Sequence, residues 1–195
     1  TLDVVRLAAK HRCRVVMLST SGTVGCFVSP QESADETADF CEATVRDWPY
    51  YHSKIIAERR GRALAEELGV ELVFIRPPVL LGPGDHRFRS TSNIVRMLRG
   101  RLPFLIRGGM HFIDIRDAVR AIWNAMTLPQ PRPVYHLAGT ASSIEAFFGM
   151  VEEVSGVAAP RRILPYGLAH RIATADEWIG MRVRGEPLHY FPGPV

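Results

Sequence analysis

Several features that would indicate particular functions are missing from the 195-residue sequence. No apolar run approaches the roughly 18 residues that a membrane-spanning helix needs. The seven histidines are dispersed and show no H-E-x-x-H or comparable ligand spacing. The three cysteines, Cys13, Cys26 and Cys41, form no C-x-x-C pair, which favours reduced thiols over a disulfide framework or a zinc site. We therefore expect no metal, no membrane segment and a cytoplasmic location.

A glycine-rich turn of the form G-x-G-x-x-G is also missing. Doubly wound nucleotide-binding folds normally place this turn between their first strand and first helix. Thr1 opens directly into a helical pattern, and the final residues, HYFPGPV, carry no clear stop signal. These observations predict a fragment that is cut at its N-terminal side, with truncation at the C-terminal side as well. Such a fragment would bind a dinucleotide poorly and would be inactive by itself.

Basic residues outnumber acidic ones, with a net charge of +4 and a pI near 9.2. The arginines are spread singly along the chain, and acids such as Glu58, Glu66 and Glu67 lie among them. Nucleic-acid-binding proteins more often concentrate positive charge and interleave it with aromatic residues. We therefore expect no nucleic-acid partner.

The first half of the chain alternates helical and strand-like patterns. Helices are predicted at 1–11 and 50–67, and short buried strands at 14–18 and 70–75. In the second helix the apolar residues Ile55, Ile56, Ala63 and Leu64 are expected to face inward. Short connections between these elements imply right-handed crossovers and a parallel sheet. The predicted fold class is α/β, a partial Rossmann-type doubly wound parallel sheet with a smaller C-terminal substrate-binding region.

The second half has a looser pattern. Helices are predicted at 91–99 and 115–127, and strands at HFIDI (111–115) and VYHLA (134–138). Ser142 and Glu145 have capping-box spacing before a helix that runs to Ser155, and TADE (174–177) has the same spacing. We assign 1–85 to the C-terminal half of a dinucleotide-binding domain. Residues 86–195 are assigned mainly to a substrate-binding region, with 111–138 returning to the dinucleotide-binding part.

The segment WPYYHSKIIAERR contains Lys54, one of only two lysines in the chain, four residues after Tyr50. Residues four apart share one face of a helix. A nearby ammonium group favours the phenolate and is expected to lower the pKa of Tyr50 toward the working range of an acid/base catalyst. The three rotatable donors of a lysine could also hold a ribose diol. Tyr51, three residues before Lys54, is a competing phenol.

Four segments resemble the extended short-chain dehydrogenase/reductase family, also called the NAD-dependent epimerase/dehydratase family, and its dihydroflavonol-reductase-like branch in particular. The resemblance covers nearly the whole chain up to about residue 160. The segments are VVMLSTSGTVG (15–25), YYHSKIIAE (50–58), IRPPVLLGPGD (75–85) and HFIDIRDAVRA (111–121). They look like the family's Ser/Thr loop, its Y-x-x-S-K-x-x-A-E helix, its R-P-x-x-x-x-G-P turn and its F-V-x-V-x-D-V-A segment.

The resemblance implies roles for individual residues. Tyr50 would be the general acid/base, and Lys54 would bind the nicotinamide ribose and lower the tyrosine pKa. Ser21 would hydrogen-bond the substrate oxygen, and Thr20 is the alternative if the alignment shifts by one residue. The cofactor would be NAD or NADP, and a segment along its nicotinamide would comprise Pro77, Pro78, Val79 and Leu80.

The resemblance predicts an NAD(P)-dependent reductase or dehydrogenase that transfers hydride between nicotinamide and a carbonyl or alcohol carbon. The partner is expected to be a small molecule, an apolar ketone or alcohol, and the protein a homodimer. Two alternatives remain open: a nucleotide-sugar epimerase or dehydratase on the same fold, and a non-catalytic NAD(P)-binding sensor.

Two acids and several aromatic residues have simpler explanations than a site. Asp114 and Asp117 resemble the paired acids of a hydrolase, but Asp117 lies near a helix start, where its negative charge interacts favourably with the helix dipole. Aromatic residues in the expected substrate region are Phe88, Phe104, Phe112, Phe147, Trp178 and Tyr190.

Overall fold

The computed structural model describes residues 1–27, 29, 31–165, 167, 168 and 171. Its helices are α1 Leu2–His11, α2 Glu42–Val45, α3 Pro49–Leu68, α4 Ser92–Leu98, α5 Ile115–Thr127 and α6 Ile144–Ser155. Its strands are β1 Val15–Leu18, β2 Leu72–Arg76, β3 Val79–Leu81, β4 Leu105–Ile106, β5 Gly109–Asp114, β6 Val134–His136, β7 Thr140–Ser143 and β8 Ile163–Leu164. The helix predicted near 174–177, Trp178 and Tyr190 lie outside the described residues.

Strands β1, β2 and β6 form a parallel sheet in the order β1-β2-β6. The register pairs Val15 with Leu72 and Ile75 with Tyr135. Helix α3 lies between β1 and β2 in the sequence, and α5 lies between β2 and β6, as crossover connections between parallel strands require; α1 precedes β1. The prediction of a Rossmann-type α/β fold with a parallel sheet is confirmed.

Alternation along β2 directs its apolar side chains to both faces of the sheet. Val73 and Ile75 pack with Ala125 of α5 in one buried cluster. Phe74 points to the opposite face, where its ring lies close to Gly61 of α3 and a Cβ on that glycine would be 3.3 Å from the ring. The sheet is therefore covered by helices on both faces, which explains why its strands read as continuous apolar runs.

The buried stripe of α3 differs from the predicted one. Ile55 is buried as expected, but Ile56 is 36% exposed and Ala63 is also exposed. The buried positions are Ile55, Glu58, Gly61 and Ala65. A polar residue and a glycine occupy part of the face that meets the sheet, so the apolar residues alone did not define the buried stripe. The helix ends at Gly69, whose φ of 66° is left-handed and suits glycine.

The N-terminal cap of helix α6 lies one residue later than predicted. Ser143, not Ser142, accepts a hydrogen bond from the Ala146 N–H at 3.1 Å. Residues Thr140–Ser143 form β7, so the chain is still extended at Ser142 and turns into the helix at Ile144. The predicted capping box between Ser142 and Glu145 is therefore wrong.

The two acids near the start of α5 belong to the helix terminus. Asp114 is the cap and accepts a hydrogen bond from the Arg116 N–H at 2.8 Å. Hydrogen bonds from the guanidinium and backbone of Arg116 lower the pKa of Asp114 to about 2. The Asp117 carboxylate lies 3.7 Å from the Arg120 guanidinium. Each acid thus has its own basic neighbour, and the two do not form the carboxylate pair of a hydrolase.

The chain forms two compact units. The first comprises residues 1–83 and 112–140, and it contains the β1-β2-β6 sheet and the parallel pairing of β3 with β5. The second comprises residues 84–111 and the described residues of 141–195. In the second unit α6 packs on α4 and β4, and β4 pairs with β8. The assignment of these parts to nucleotide and substrate binding stays a prediction.

A buried ion pair joins three elements of the first unit. Glu58 of α3 is 1% exposed and Arg76 of β2 is 2% exposed. The Arg76 guanidinium donates two hydrogen bonds to the Glu58 carboxylate, at 3.1 and 2.8 Å. The Ser19 hydroxyl, just after β1, donates to the same carboxylate. Burial alone would raise the pKa of Glu58, but the hydrogen bonds from Arg76 and Ser19 lower it below its ordinary value.

Replacing Glu58 with glutamine should leave the Arg76 charge buried without its counter-ion. Breaking a buried pair in this way costs about 3–5 kcal/mol of unfolding free energy. We expect a loss in this range in urea-induced unfolding at pH 7. Glu67→Gln, an exposed change on the same helix, should stay within about 0.5 kcal/mol of wild type.

The lowered pKa of Glu58 also determines how the free energy of unfolding changes at acidic pH. Its contribution to stability is complete above its ordinary pKa of 4.5 and is lost as the pH falls through the lower value of the folded protein. Glu58→Gln should lack this part of the acid-induced loss. Equal destabilisation by Glu58→Gln and Glu67→Gln would contradict the role assigned to the pair.

Candidate active site

The loop after β1 is held beside the end of β2 by backbone hydrogen bonds. The Ser19 N–H donates to the Ile75 carbonyl at 2.8 Å, and the Ser21 N–H donates to the Pro77 carbonyl at 2.9 Å. The parallel ladder thus continues past the end of both strands. Ser21 then opens a single 3-10 turn, Ser21–Thr23, at the carboxyl end of the sheet. This is the edge where ligands collect in open α/β folds.

The hydroxyl groups of this loop have different surroundings. Thr20 accepts a hydrogen bond from the Gly22 N–H at 3.4 Å and so caps the turn. The buried Thr23 hydroxyl donates to the Thr20 carbonyl at 2.8 Å, and Ser19 is bound to Glu58. The half-buried Ser21 side chain makes no hydrogen bond to the part of the chain that the structure describes. Ser21 therefore presents the hydroxyl that is most available to a ligand.

Tyr50 and Lys54 lie one turn apart at the start of α3. The helix begins with Pro49 at its first position, where a missing N–H costs no hydrogen bond. The Lys54 Nζ lies 5.8 Å from the centroid of the Tyr50 ring and donates to the Leu18 carbonyl at 2.9 Å. Helix α3 also contacts the turn that contains Ser21. The predicted tyrosine, lysine and serine are thus carried by two elements that touch each other.

The expected lowering of the Tyr50 pKa is not found. Burial raises the pKa of Tyr50 above its ordinary value of 10.0, although its side chain remains 57% exposed. The Lys54 ammonium is bound to a backbone carbonyl at the end of β1 and lies 5.8 Å from the centroid of the Tyr50 ring. The phenol of Tyr50 is therefore neutral at physiological pH in this geometry.

Tyr51 has a packing role in the same region. Its ring lies against Gly22, where an added Cβ would overlap Tyr51 Cε1. It also contacts the rings of Trp48 and Tyr50, each with a centroid separation of 5.2 Å. The competing phenol therefore fixes helix α3 against the Ser21–Thr23 turn, called the serine turn below, and Gly22 is required for that contact.

A cavity of about 280 Å³ opens beside Lys54. Its polar wall includes Lys54, Ser53 and Ser19, and its apolar wall includes Met17 and Phe74. Ser21 and Tyr50 do not line it. A lysine has three N–H donors, and one of those of Lys54 is used by Leu18. The remaining donors and the polar wall fit the diol of one sugar ring, which is the part of a dinucleotide that the resemblance assigns to Lys54.

The proline turn follows β2. Pro77 is buried and accepts the hydrogen bond from Ser21, whereas Pro78 is half-buried. Val79 and Leu80 belong to β3, which pairs with β5. Sequence reasoning identified a turn here but not the strand, because three residues between a proline pair and a glycine are too few to show a period. Whether the segment contacts a nicotinamide stays a prediction.

The structure gives a role to two motif residues that had none from the sequence. Glu58 is the last residue of the quoted Y-x-x-S-K-x-x-A-E helix, and its partner Arg76 is the first of the R-P-x-x-x-x-G-P turn. A glutamate on the apolar face of a helix, followed by an arginine inside an apolar strand, is the signal that could have revealed this pair. The sequence contains no comparable signal for the contact between Gly22 and Tyr51.

Neither a metal site nor a membrane helix is found where the chain is described. No group of three or more histidine, cysteine or acidic side chains could hold a metal ion within these residues. Within the same residues, no helix has the length and apolar character needed to cross a bilayer.

Comparisons with known proteins agree with the fold and the motifs. Cinnamoyl-CoA reductase 1 of Arabidopsis thaliana is 29% identical over 147 residues, covering 71% of this chain and 42% of that protein. Dihydroflavonol 4-reductase of Dianthus caryophyllus is 34% identical over 88 residues, covering 42% of this chain and 24% of that protein. The chain thus spans less than half the length of these relatives.

Among solved structures, a nucleoside-diphosphate-sugar epimerase from Pseudomonas aeruginosa superposes with a TM-score of 0.77 at 19% identity. The superposition covers 96% of this chain and 64% of that one. At this identity the likeness concerns the fold alone. The pattern of the NAD dependent epimerase/dehydratase family matches residues 1–139, more than two thirds of the sequence. The chain therefore belongs to the NAD dependent epimerase/dehydratase family.

Proposed function

We propose that this chain carries the proton-transfer and ribose-binding residues of an NAD(P)-dependent reductase or dehydrogenase that acts on a carbonyl or alcohol. The supporting observation is that helix α3, which carries Tyr50 and Lys54, packs against the turn that carries Ser21. The sequence relatives include reductases of aromatic substrates, which favours reduction of an apolar, aromatic carbonyl compound. The epimerase likeness concerns the fold alone and does not favour the sugar alternative.

Tyr50 is proposed as the proton donor in the direction of reduction. Because burial raises its pKa, the phenol is protonated at neutral pH and can give a proton to the substrate oxygen. A bound nicotinamide would supply the hydride to the neighbouring carbon. In the reverse direction the phenolate would take the proton from an alcohol, a step that this geometry disfavours until the phenol is ionised.

Ser21 is proposed to donate a hydrogen bond to the same substrate oxygen. The negative charge that develops on this oxygen in the transition state is stabilised by a donor that is already in place. Thr20 remains the alternative from the alignment, but its hydroxyl accepts the hydrogen bond that caps the turn. This local role makes Ser21 the better candidate.

Lys54 is proposed to bind the nicotinamide ribose from the wall of the cavity beside it. Its position is set by the Leu18 carbonyl rather than by Tyr50. The segment proposed to lie along the nicotinamide comprises Pro77, Pro78, Val79 and Leu80. It lies at the sheet edge where the Pro77 carbonyl accepts the hydrogen bond from the Ser21 N–H. The choice between NAD and NADP stays open.

The reaction class is tested by net cofactor turnover in the full-length protein. We expect NADH or NADPH to be consumed in proportion to product with aromatic ketones or cinnamoyl-CoA, and no net consumption with UDP-sugars. Conversion of a UDP-sugar without net cofactor change would show the epimerase alternative instead. Tight NAD(P)H binding without turnover on any of these compounds would favour the sensor.

The two neighbouring tyrosines provide a matched test of the proton donor. Tyr50→Phe should reduce kcat by about 10²–10⁴-fold, the usual contribution of general acid catalysis. Tyr51→Phe keeps the ring contacts with Gly22 and Trp48 and should change kcat by no more than a few-fold. A kcat for Tyr50→Phe equal to that of wild type would show that the assignment is wrong.

The hydroxyl donor is tested in the same assay with Ser21→Ala and Thr20→Ala. Loss of one preorganised donor typically lowers kcat by about 10²–10³-fold. We expect a decrease of this size for Ser21→Ala. Thr20→Ala should mainly lower thermal stability, because it removes the cap of the turn. The reverse pattern, with kcat lost only in Thr20→Ala, would assign the role to Thr20.

A further inference from the structure

Two of the three cysteines meet beside the serine turn. Cys26 follows the turn, and Cys41 lies immediately before α2. Their Sγ atoms lie 3.5 and 3.4 Å from the same oxygen, the Gly22 carbonyl, so the two thiols are neighbours around one acceptor. The Cys41 N–H also donates to the Thr23 carbonyl at 3.0 Å, which anchors Cys41 to the turn. Both side chains are half-buried rather than sealed from solvent.

The two thiols have unequal acidities. The hydrogen bond from Cys26 lowers the pKa of Cys41 to about 6. The same hydrogen bond, together with burial, raises the pKa of Cys26. Cys41 is therefore the thiol that is ionised at neutral pH, and the thiolate is the form that reacts with oxidants. A neutral thiol in contact with it is the usual arrangement of a resolving cysteine.

We propose that Cys26 and Cys41 form a reversible dithiol–disulfide site that is oxidised by hydroperoxides. The Cys41 thiolate attacks the peroxide, breaks its O–O bond and becomes a sulfenic acid, while the departing oxygen leaves as hydroxide. The Cys26 sulfur then attacks the Cys41 sulfur and breaks its S–O bond; a disulfide forms, and the sulfenic hydroxyl leaves with the Cys26 proton as one water, while the hydroxide of the first step takes a proton from solvent. Two electrons pass from the two sulfurs to the peroxide, and an added dithiol restores both thiols by exchange.

The disulfide would affect the serine turn through Gly22. A disulfide holds its sulfurs about 2.05 Å apart, closer than two hydrogen-bonded thiols. The sulfurs would therefore change their contacts with the Gly22 carbonyl. Gly22 has no free space on its other side, because the Tyr51 ring lies against its Cα. The covalent site is independent of the proposed catalytic function, whereas any effect of the disulfide on turnover rests on it.

The test uses the wild-type protein at neutral pH, treated with hydrogen peroxide, alkylated and analysed by peptide mass spectrometry. We expect two of the three free thiols per chain to be lost and a Cys26–Cys41 peptide to appear. Dithiothreitol should restore both thiols. The exposed Cys13, whose only close partner in the described residues is the Ala8 carbonyl at 3.9 Å, is an internal control and should remain available for alkylation.

Two serine variants separate the roles of the three cysteines. Cys13→Ser should form the Cys26–Cys41 bond as the wild type does. Cys26→Ser should form no such bond and should accumulate a Cys41 sulfenic acid that a 1,3-dicarbonyl reagent traps. The proposal is overturned if wild-type Cys26 and Cys41 both stay alkylatable after peroxide, if either pairs with Cys13, or if Cys41 oxidises further while Cys26 remains a free thiol. Because the main measurement needs no variant, misfolding of Cys26→Ser would not obscure the result.

Discussion

A buried carboxylate is the constraint on which the candidate site depends. Glu58 is enclosed between α3 and the sheet, where an unpaired negative charge would be costly. It is stabilised by two hydrogen bonds from Arg76, one from Ser19 and a longer one from Arg62 of the same helix. Arg76 and Ser19 lie at the ends of β2 and β1, so satisfying one charge fixes three elements relative to each other.

The positions of the proposed catalytic groups follow from this constraint. Lys54 lies one helical turn before Glu58, and Tyr50 lies one turn before Lys54. Ser21 follows Ser19 by two residues, and its N–H is held by the carbonyl of Pro77, the residue after Arg76. The ion pair thus fixes the elements that carry each proposed group, and Glu58 also lines the cavity beside Lys54. The packing of Tyr51 on Gly22 adds a second fixed contact between the helix and the turn.

Most of the fold could be predicted from the sequence, because its periodic segments are long and are bounded by glycine and proline. Helix α5 was predicted at its observed bounds, since apolar spacing and the acids at its start agree. The short apolar runs of β1 and β6 were recognised, but β3, β4, β7 and β8 were missed: β3 was read as part of a turn, β4 and β8 have two residues each, and β7 is polar and largely exposed. The candidate site residues could be identified from motif spacing, but the direction of the Tyr50 pKa shift could not. The hydrogen bond from Lys54 to Leu18 depends on how the helix lies on the sheet, which a linear pattern does not contain.

The central claim, that Glu58 and Arg76 together fix the site-bearing helix on the sheet, is tested most directly by a double-mutant cycle. Unfolding free energies would be measured for wild type, Glu58→Gln, Arg76→Gln and the double variant. Each single change leaves a buried group without its partner, and the double change removes both charges. We expect a coupling of more than about 2 kcal/mol, with the double variant much more stable than the sum of the single losses implies. Additivity within about 0.5 kcal/mol would contradict it.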